Sequence, residues 1–175
     1  MSRIFTSLSL TMISLITLNV RAQAFTPFTL TQTFNNPTPE SFGQFGDSVS
    51  IDGTKALVGA PGDNTGGSFS GAAYLFNTTN GNLLQTFKKP NPQSFDRFGE
   101  SVSIDATNVL IGADQEDTGA SAAGSAYLFN TTTGNLLQTF NNPTPELNEF
   151  CGESVSVDGT HALSVSQYRL MAQMR

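Results

Sequence analysis

The 175-residue chain contains no tryptophan, one cysteine, one histidine and only eight lysines and arginines. Each shortage excludes something. A lone cysteine, Cys151, cannot close an intramolecular disulfide. It shares the register of Phe45 and Phe98 in the repeat described below, where a small buried hydrophobe is expected; the alternative is a free thiol that pairs two chains. A lone histidine, His161, lies beside the Gly159 turn with no second histidine or cysteine pair to complete a metal site or a catalytic triad. Eight basic residues against fourteen acidic ones give a net charge of −6. Such a surface repels phosphate backbones, so nucleic acid is not expected as a partner. After Val20 no apolar run is long enough to cross a bilayer.

The amino terminus reads as a secretory signal over residues 1–24. Arg3 supplies a basic start, Ile4 to Val20 is apolar and uncharged, and Ala22-Gln23-Ala24 gives a small-x-small cleavage pattern. A membrane anchor is the rival reading, weakened by the hydroxyl residues in the run and by Arg21 at its end. Cleavage after Ala24 removes Arg3 and Arg21, leaving six basic residues against fourteen acidic ones and a net charge of −8. The mature chain, 25–175, is expected to be soluble with no membrane span, and secreted or held at the cell surface (extracellular or periplasmic).

What the chain does have is a repeat. Thr33-Phe-Asn-Asn-Pro-Thr-Pro-Glu40 returns as Thr86-Phe-Lys-Lys-Pro-Asn-Pro-Gln93 and, letter for letter, as Thr139 to Glu146. Residues 33–85 align with 86–138 without a gap, and 33 of the 53 positions are identical. A period of this length means one supersecondary unit repeated, each copy burying an apolar face against the next.

Within one copy, Ser48-Val-Ser-Ile-Asp52 alternates polar and apolar, as a half-buried strand does. Asp52-Gly53 makes a tight turn, and Ala56 to Ala60 forms a second strand closed by Pro61-Gly62. A polar loop from Asp63 to Ser70 leads to a third strand, Ala72 to Phe76. The Asn77 to Gly81 turn then precedes a fourth, Leu83 to Phe87, which Pro90 and Pro92 terminate. Four strands in about fifty residues is the size of a β-propeller blade. Leu30-Thr-Gln-Thr-Phe34 matches the fourth strand, so the mature chain is expected to open with a leading fourth strand, then two complete blades and a partial one. The third copy keeps register through Ala162-Leu163; residues 164–175 read as a divergent tail, frayed or with a short helix over 167–175.

Phe45-Gly46 followed by Gly59-Ala60-Pro61 resembles the FG-GAP repeat of integrin α-chain propellers and secreted bacterial proteins. The second copy carries Phe98-Gly99 and Gly112-Ala113 with Asp114 in the proline's place, and the third keeps Gly152 with Cys151 for phenylalanine. The resemblance spans roughly residues 30–163 and includes Ala73-Tyr-Leu-Phe76 and Ala126-Tyr-Leu-Phe129. It implies an all-β, partial propeller of four-stranded antiparallel blades. Family members that bind calcium use an Asp-rich loop between the two elements. Here 47–58 offers only Asp47 and Asp52, and 100–111 only Glu100 and Asp105, so calcium is not carried over.

The remaining polar features have structural explanations. Asp47, Glu100 and Glu153 share one register and Asp52, Asp105 and Asp158 another; identical surroundings in each copy favour turn and loop hydrogen bonds over catalysis. No Gly-x-Ser-x-Gly elbow or phosphate loop is present. No catalytic, cofactor or metal residues are therefore assigned. Asn77-Thr-Thr79 and Asn130-Thr-Thr132 fit the glycosylation acceptor pattern.

The expected function is a secreted, non-catalytic module for recognition or adhesion to an extracellular protein or glycan, a role the resemblance suggests. The loops Pro61–Ser70 and Asp114–Ala123 would form its contact surface, with Asp63, Asn64, Asp114, Glu116 and Asp117 as candidate contacts. The alternatives are a truncated or frame-shifted propeller fragment without independent activity, which could self-associate through unpaired strand edges, and a fragment of a propeller hydrolase.

Overall fold

The computed structural model describes residues 29–166 and 170–174. The chain divides into units Met1–Leu30 and Thr31–Arg175. Of the first unit only residues 29–30 are described, without regular structure, and the signal reading of 1–24 lies outside the described residues.

The second unit is all-β. β1 (Val49–Asp52), β2 (Lys55–Ala60), β3 (Ala72–Asn77) and β4 (Leu83–Phe87) form an antiparallel sheet in chain order. β5 (Val102–Ile104), β6 (Asn108–Ala113), β7 (Ser125–Asn130) and β8 (Leu136–Asn141) repeat it. Even the irregularity repeats, since a register shift falls between Leu75 and Phe76 and again between Leu128 and Phe129. The sequence supports these sheets locally. Alternating Val and Ile fill the first strands, and glycine at positive φ closes the Asp52-Gly53 turn.

Two expectations are corrected. Residues 30–34 do not form a strand, because no other strand of their own blade lies beside them among the described residues to complete a ladder. They still run where a fourth strand would. Phe34 packs on Phe76 with ring centroids 5.0 Å apart, as Phe87 packs on Phe129 at 5.3 Å. Of the tail, residues 170–174 are strand rather than frayed or helical, with 167–169 and 175 outside the described residues: β9 (Ser154–Asp158), β10 (His161–Val165) and β11 (Leu170–Met174) form a third sheet in the order β11-β10-β9. Pairing with β10 from His161↔Met174 to Val165↔Leu170 satisfies the tail's backbone, which overrides its lack of repeat text.

The core lies between blades. Leu57, Ala73 and Leu75 of blade 1 meet Val102, Ile104, Val109, Ile111, Tyr127 and Phe129 of blade 2 in one cluster, joined by Phe87 and Phe98. Leu110, Ala126 and Leu128 on the far side of blade 2 meet Val157 of blade 3. First strands of successive blades are tied directly, Ile104 N–H donating to Ser50 Oγ at 3.2 Å and Val157 N–H to Ser103 Oγ at 3.0 Å.

Candidate functional site

The paired glycines of the repeat make the joint between blades. Gly46, Gly99 and Gly152 have φ of 98°, 97° and 92°, a backbone region costly for any residue with a Cβ. The turns at Gly99 and Gly152 bring their carbonyls onto the blade before. A Cβ on Gly59 would overlap the carbonyl oxygen of Gly99, and one on Gly112 that of Gly152. Ser48 Oγ donates to the Gly99 carbonyl at 2.8 Å and Ser101 Oγ to that of Gly152 at 2.6 Å. The Phe-Gly element of one blade is therefore seated on the Gly-Ala element of its predecessor.

At this end of the blades gather the β2–β3 loop (61–71), the β6–β7 loop (114–124) and the connections 88–101 and 142–153. Three of the five candidate contact residues point inward there, contrary to the expectation of solvent-facing loop groups. Asp63 is fully buried, with one carboxylate oxygen accepting from Tyr74 at 2.5 Å and Thr38 at 2.6 Å and the other from the Thr65 amide at 2.8 Å. Glu116 is buried against Lys89 at 2.9 Å and accepts from the Tyr127 hydroxyl. Burial opposes its charge, but the bonds from Tyr127 and Lys89 outweigh that and hold its carboxyl below the ordinary glutamate range. Lys89 also pairs with buried Asp96 at 2.9 Å. These polar clusters recur at the register where one blade's connection crosses the next: Asn36, Lys89 and Asn142 share a position, and Asn142 donates to buried Glu149.

Asp114 is buried as well. Arg97 reaches it only at 3.5 Å, and its Oδ1 has no hydrogen-bond partner. Burial pushes its carboxyl up to about 6; Arg97 opposes this, and Glu100 and Glu153 add to it. Glu100 is raised for the same leading reason although Arg97 lies 2.6 Å away, with Asp47 and Glu153 repelling it. The shared register of Asp47, Glu100 and Glu153 thus brings mutually repelling carboxylates together. Asp105 behaves as a turn residue, Oδ1 accepting from the Thr107 and Asn108 amides at 3.1 and 2.9 Å.

Asn64 and Asp117 remain exposed at the tips. Asn64 donates to Glu40 at 2.7 Å and accepts from the Phe69 amide at 2.8 Å, and Asp117 accepts from the Ala122 amide at 2.8 Å. Exposed aromatics that sequence reading missed stand in the connections at this end. Phe42 is 78% and Phe95 58% exposed, and Phe95 stacks on Phe69 at 5.8 Å. Phe42, Phe69 and Phe95 have φ of 66°, 54° and 71°, so the loop backbone holds these rings in a conformation phenylalanine disfavours. The signal available in the sequence was Phe42 and Phe95 recurring at one register in polar text, where a core position is not expected.

At the opposite end, Asn77 and Asn130 close the β3–β4 and β7–β8 turns. Their Oδ1 atoms accept from the Thr79 and Thr132 amides at 2.8 and 2.9 Å. His161 is exposed at the start of β10, and Cys151 is buried 3.4 Å from Ser164 Oγ, where burial pushes its thiol up.

Among the described residues no group of three or more His, Cys, Asp or Glu side chains is arranged to hold a metal ion, and no helix is long and apolar enough to cross a membrane. Residues 39–76 and 88–129 each match the family model of the FG-GAP repeat. No curated protein matches the chain.

Proposed function

Because this chain belongs to the FG-GAP repeat family, we propose that it is a secreted, non-catalytic module that recognises an extracellular protein or glycan through the loop end of its blades. One observation carries the reading: Phe42 and Phe95 stand exposed on strained backbone, and Phe95 stacks on Phe69, whose amide is held by the exposed Asn64. Rigid aromatic faces with adjacent polar groups suit both sugar rings and the apolar anchors of protein partners. Blade seams fix the loops from below, which lowers the entropy lost on binding.

The test is a panel of glycans and extracellular proteins probed with the wild-type chain and with Phe42→Ala/Phe95→Ala. Binding that drops at least tenfold in the double variant, with melting temperature retained, supports the reading. Binding indifferent to both rings, or turnover of an ester or glycoside panel by the wild type, overturns it. A second reading, a propeller fragment without independent activity, is favoured by the exposed apolar face of β1, where Val49 and Ile51 stand open to solvent.

A further inference from the structure

The seams between blades 1 and 2 and between blades 2 and 3 are built from the same parts 53 residues apart, and blade 1 carries a third set of those parts that no complete blade covers among the described residues. Val102 and Ile104 are 9% and 7% exposed because blade 1 covers them, whereas their counterparts Val49 and Ile51 are 70% and 69% exposed. The open face is not wholly unformed. Phe34 lies on Phe76 as Phe87 lies on Phe129, and the Gln32 side chain abuts Gly81 as that of Gln85 abuts Gly134. Residues 31–36 thus occupy the fourth-strand place of a preceding blade whose other three strands are absent among the described residues.

We infer that this face is a docking surface for a three-stranded FG-GAP blade of another chain, one that carries glycine at the register of Gly59. The glycine is required because the Gly46 carbonyl would be seated as those of Gly99 and Gly152 are, over a position where a Cβ overlaps the oxygen. Residues 1–42 contain no glycine and do not supply the seat. An identical copy is excluded too. Its three-stranded blade, β9 to β11, has Val165 at that register, still accepting from the Gly152 amide at 3.3 Å as Gly112 does from Gly99 at 2.9 Å. Val165 therefore bars self-docking while the partner face stays open.

The experiment uses the full chain as its own probe. Sedimentation velocity over a concentration series compares wild type, Val165→Gly, Val165→Ala and Val165→Gly/Ile51→Asp. The glycine variant, with the seat restored, is expected to associate head to tail about tenfold more tightly or better. Wild type and Val165→Ala, which keeps a Cβ, are expected to remain monomeric, and Ile51→Asp to abolish the gained association. Association equal in all four chains indicates edge pairing and overturns the proposal, as does a glycine variant no more associated than wild type. The seam requirement is read separately in Gly112→Ala by hydrogen exchange. Amides of Val155 and Val157 are expected to exchange faster while those of β2 and β3 are unchanged. Unaltered exchange at Val155 and Val157 overturns the glycine requirement and with it the proposal.

Discussion

Asp114 stands where the first repeat has Pro61, and the exchange places a carboxylate in a buried position with one weakly placed cation. Its folded pKa, about 6, lies above the unfolded aspartate value of 3.8. The folded state therefore binds the proton more tightly, and stability rises as pH falls through 6 toward 4. Asp114→Asn, neutral at every pH, is expected to stabilise the chain at pH 7.5 by about 1–2 kcal/mol and to flatten the rise between pH 7 and 5. Urea melts at the two pH values check both. The opposite sign is expected at Lys89, whose ammonium is shared by buried Asp96 and Glu116. Lys89→Met leaves two buried carboxylates without their cation and is expected to cost about 3–5 kcal/mol, read as a lower urea midpoint with unchanged slope.

At the scale of elements, the period-two alternation around Val49 and Ile51 and the turns at Asp52-Gly53 and Asn77–Gly81 made the first blade legible, because local propensity and burial agree there. The fourth strand at 30–34 was misread for a physical reason: its text matches Leu83–Phe87, but a strand exists only when a neighbour accepts its backbone bonds. The tail was misread in the opposite sense, since β10 offers an edge that pairs with residues lacking any repeat signature. The candidate contacts divided along burial. Polar loop text singled out the exposed Asn64 and Asp117 together with Asp63, Asp114 and Glu116, and could not show that the last three are buried on Tyr74, Arg97, Lys89 and Tyr127 from other elements. Phe42 and Phe95 are separated from the core phenylalanines only by the polar text around them, a weaker signal than their shared register. The glycine pair, legible only as a motif, acquires a mechanism from its geometry, and that mechanism is testable in isolation. Gly59→Ala is expected to destabilise by about 3 kcal/mol or more, since its Cβ meets the Gly99 carbonyl, backbone that cannot swing away, as well as Ser48 Oγ. A loss under about 1 kcal/mol in a chemical melt would contradict this account of the seam.

At the scale of the molecule, three sheets share seams, and the segments 47–58 and 100–111 carry only two carboxylates each, a sparse set for a calcium shell. Millimolar calcium is expected to leave the melting temperature unchanged, whereas a micromolar site would shift it by several degrees. The signal reading of residues 1–24 is tested separately. Intact mass of the exported protein is expected to begin at Phe25, and Met1 retained on membranes would argue for an anchor.

The seating of one Gly-Gly contact on the next has a consequence for how such chains change in length. Both halves of the joint, the carbonyl that is presented and the hollow that receives it, reside in the same 53-residue unit. A translation by one period therefore maps each joint onto another, and the unit is complementary to its own copy. Unequal recombination that inserts or deletes one unit in register creates no new kind of contact and needs no compensating change elsewhere. Blade number is in this sense a nearly neutral trait, and a single β-carbon at the receiving position is enough to obstruct a joint.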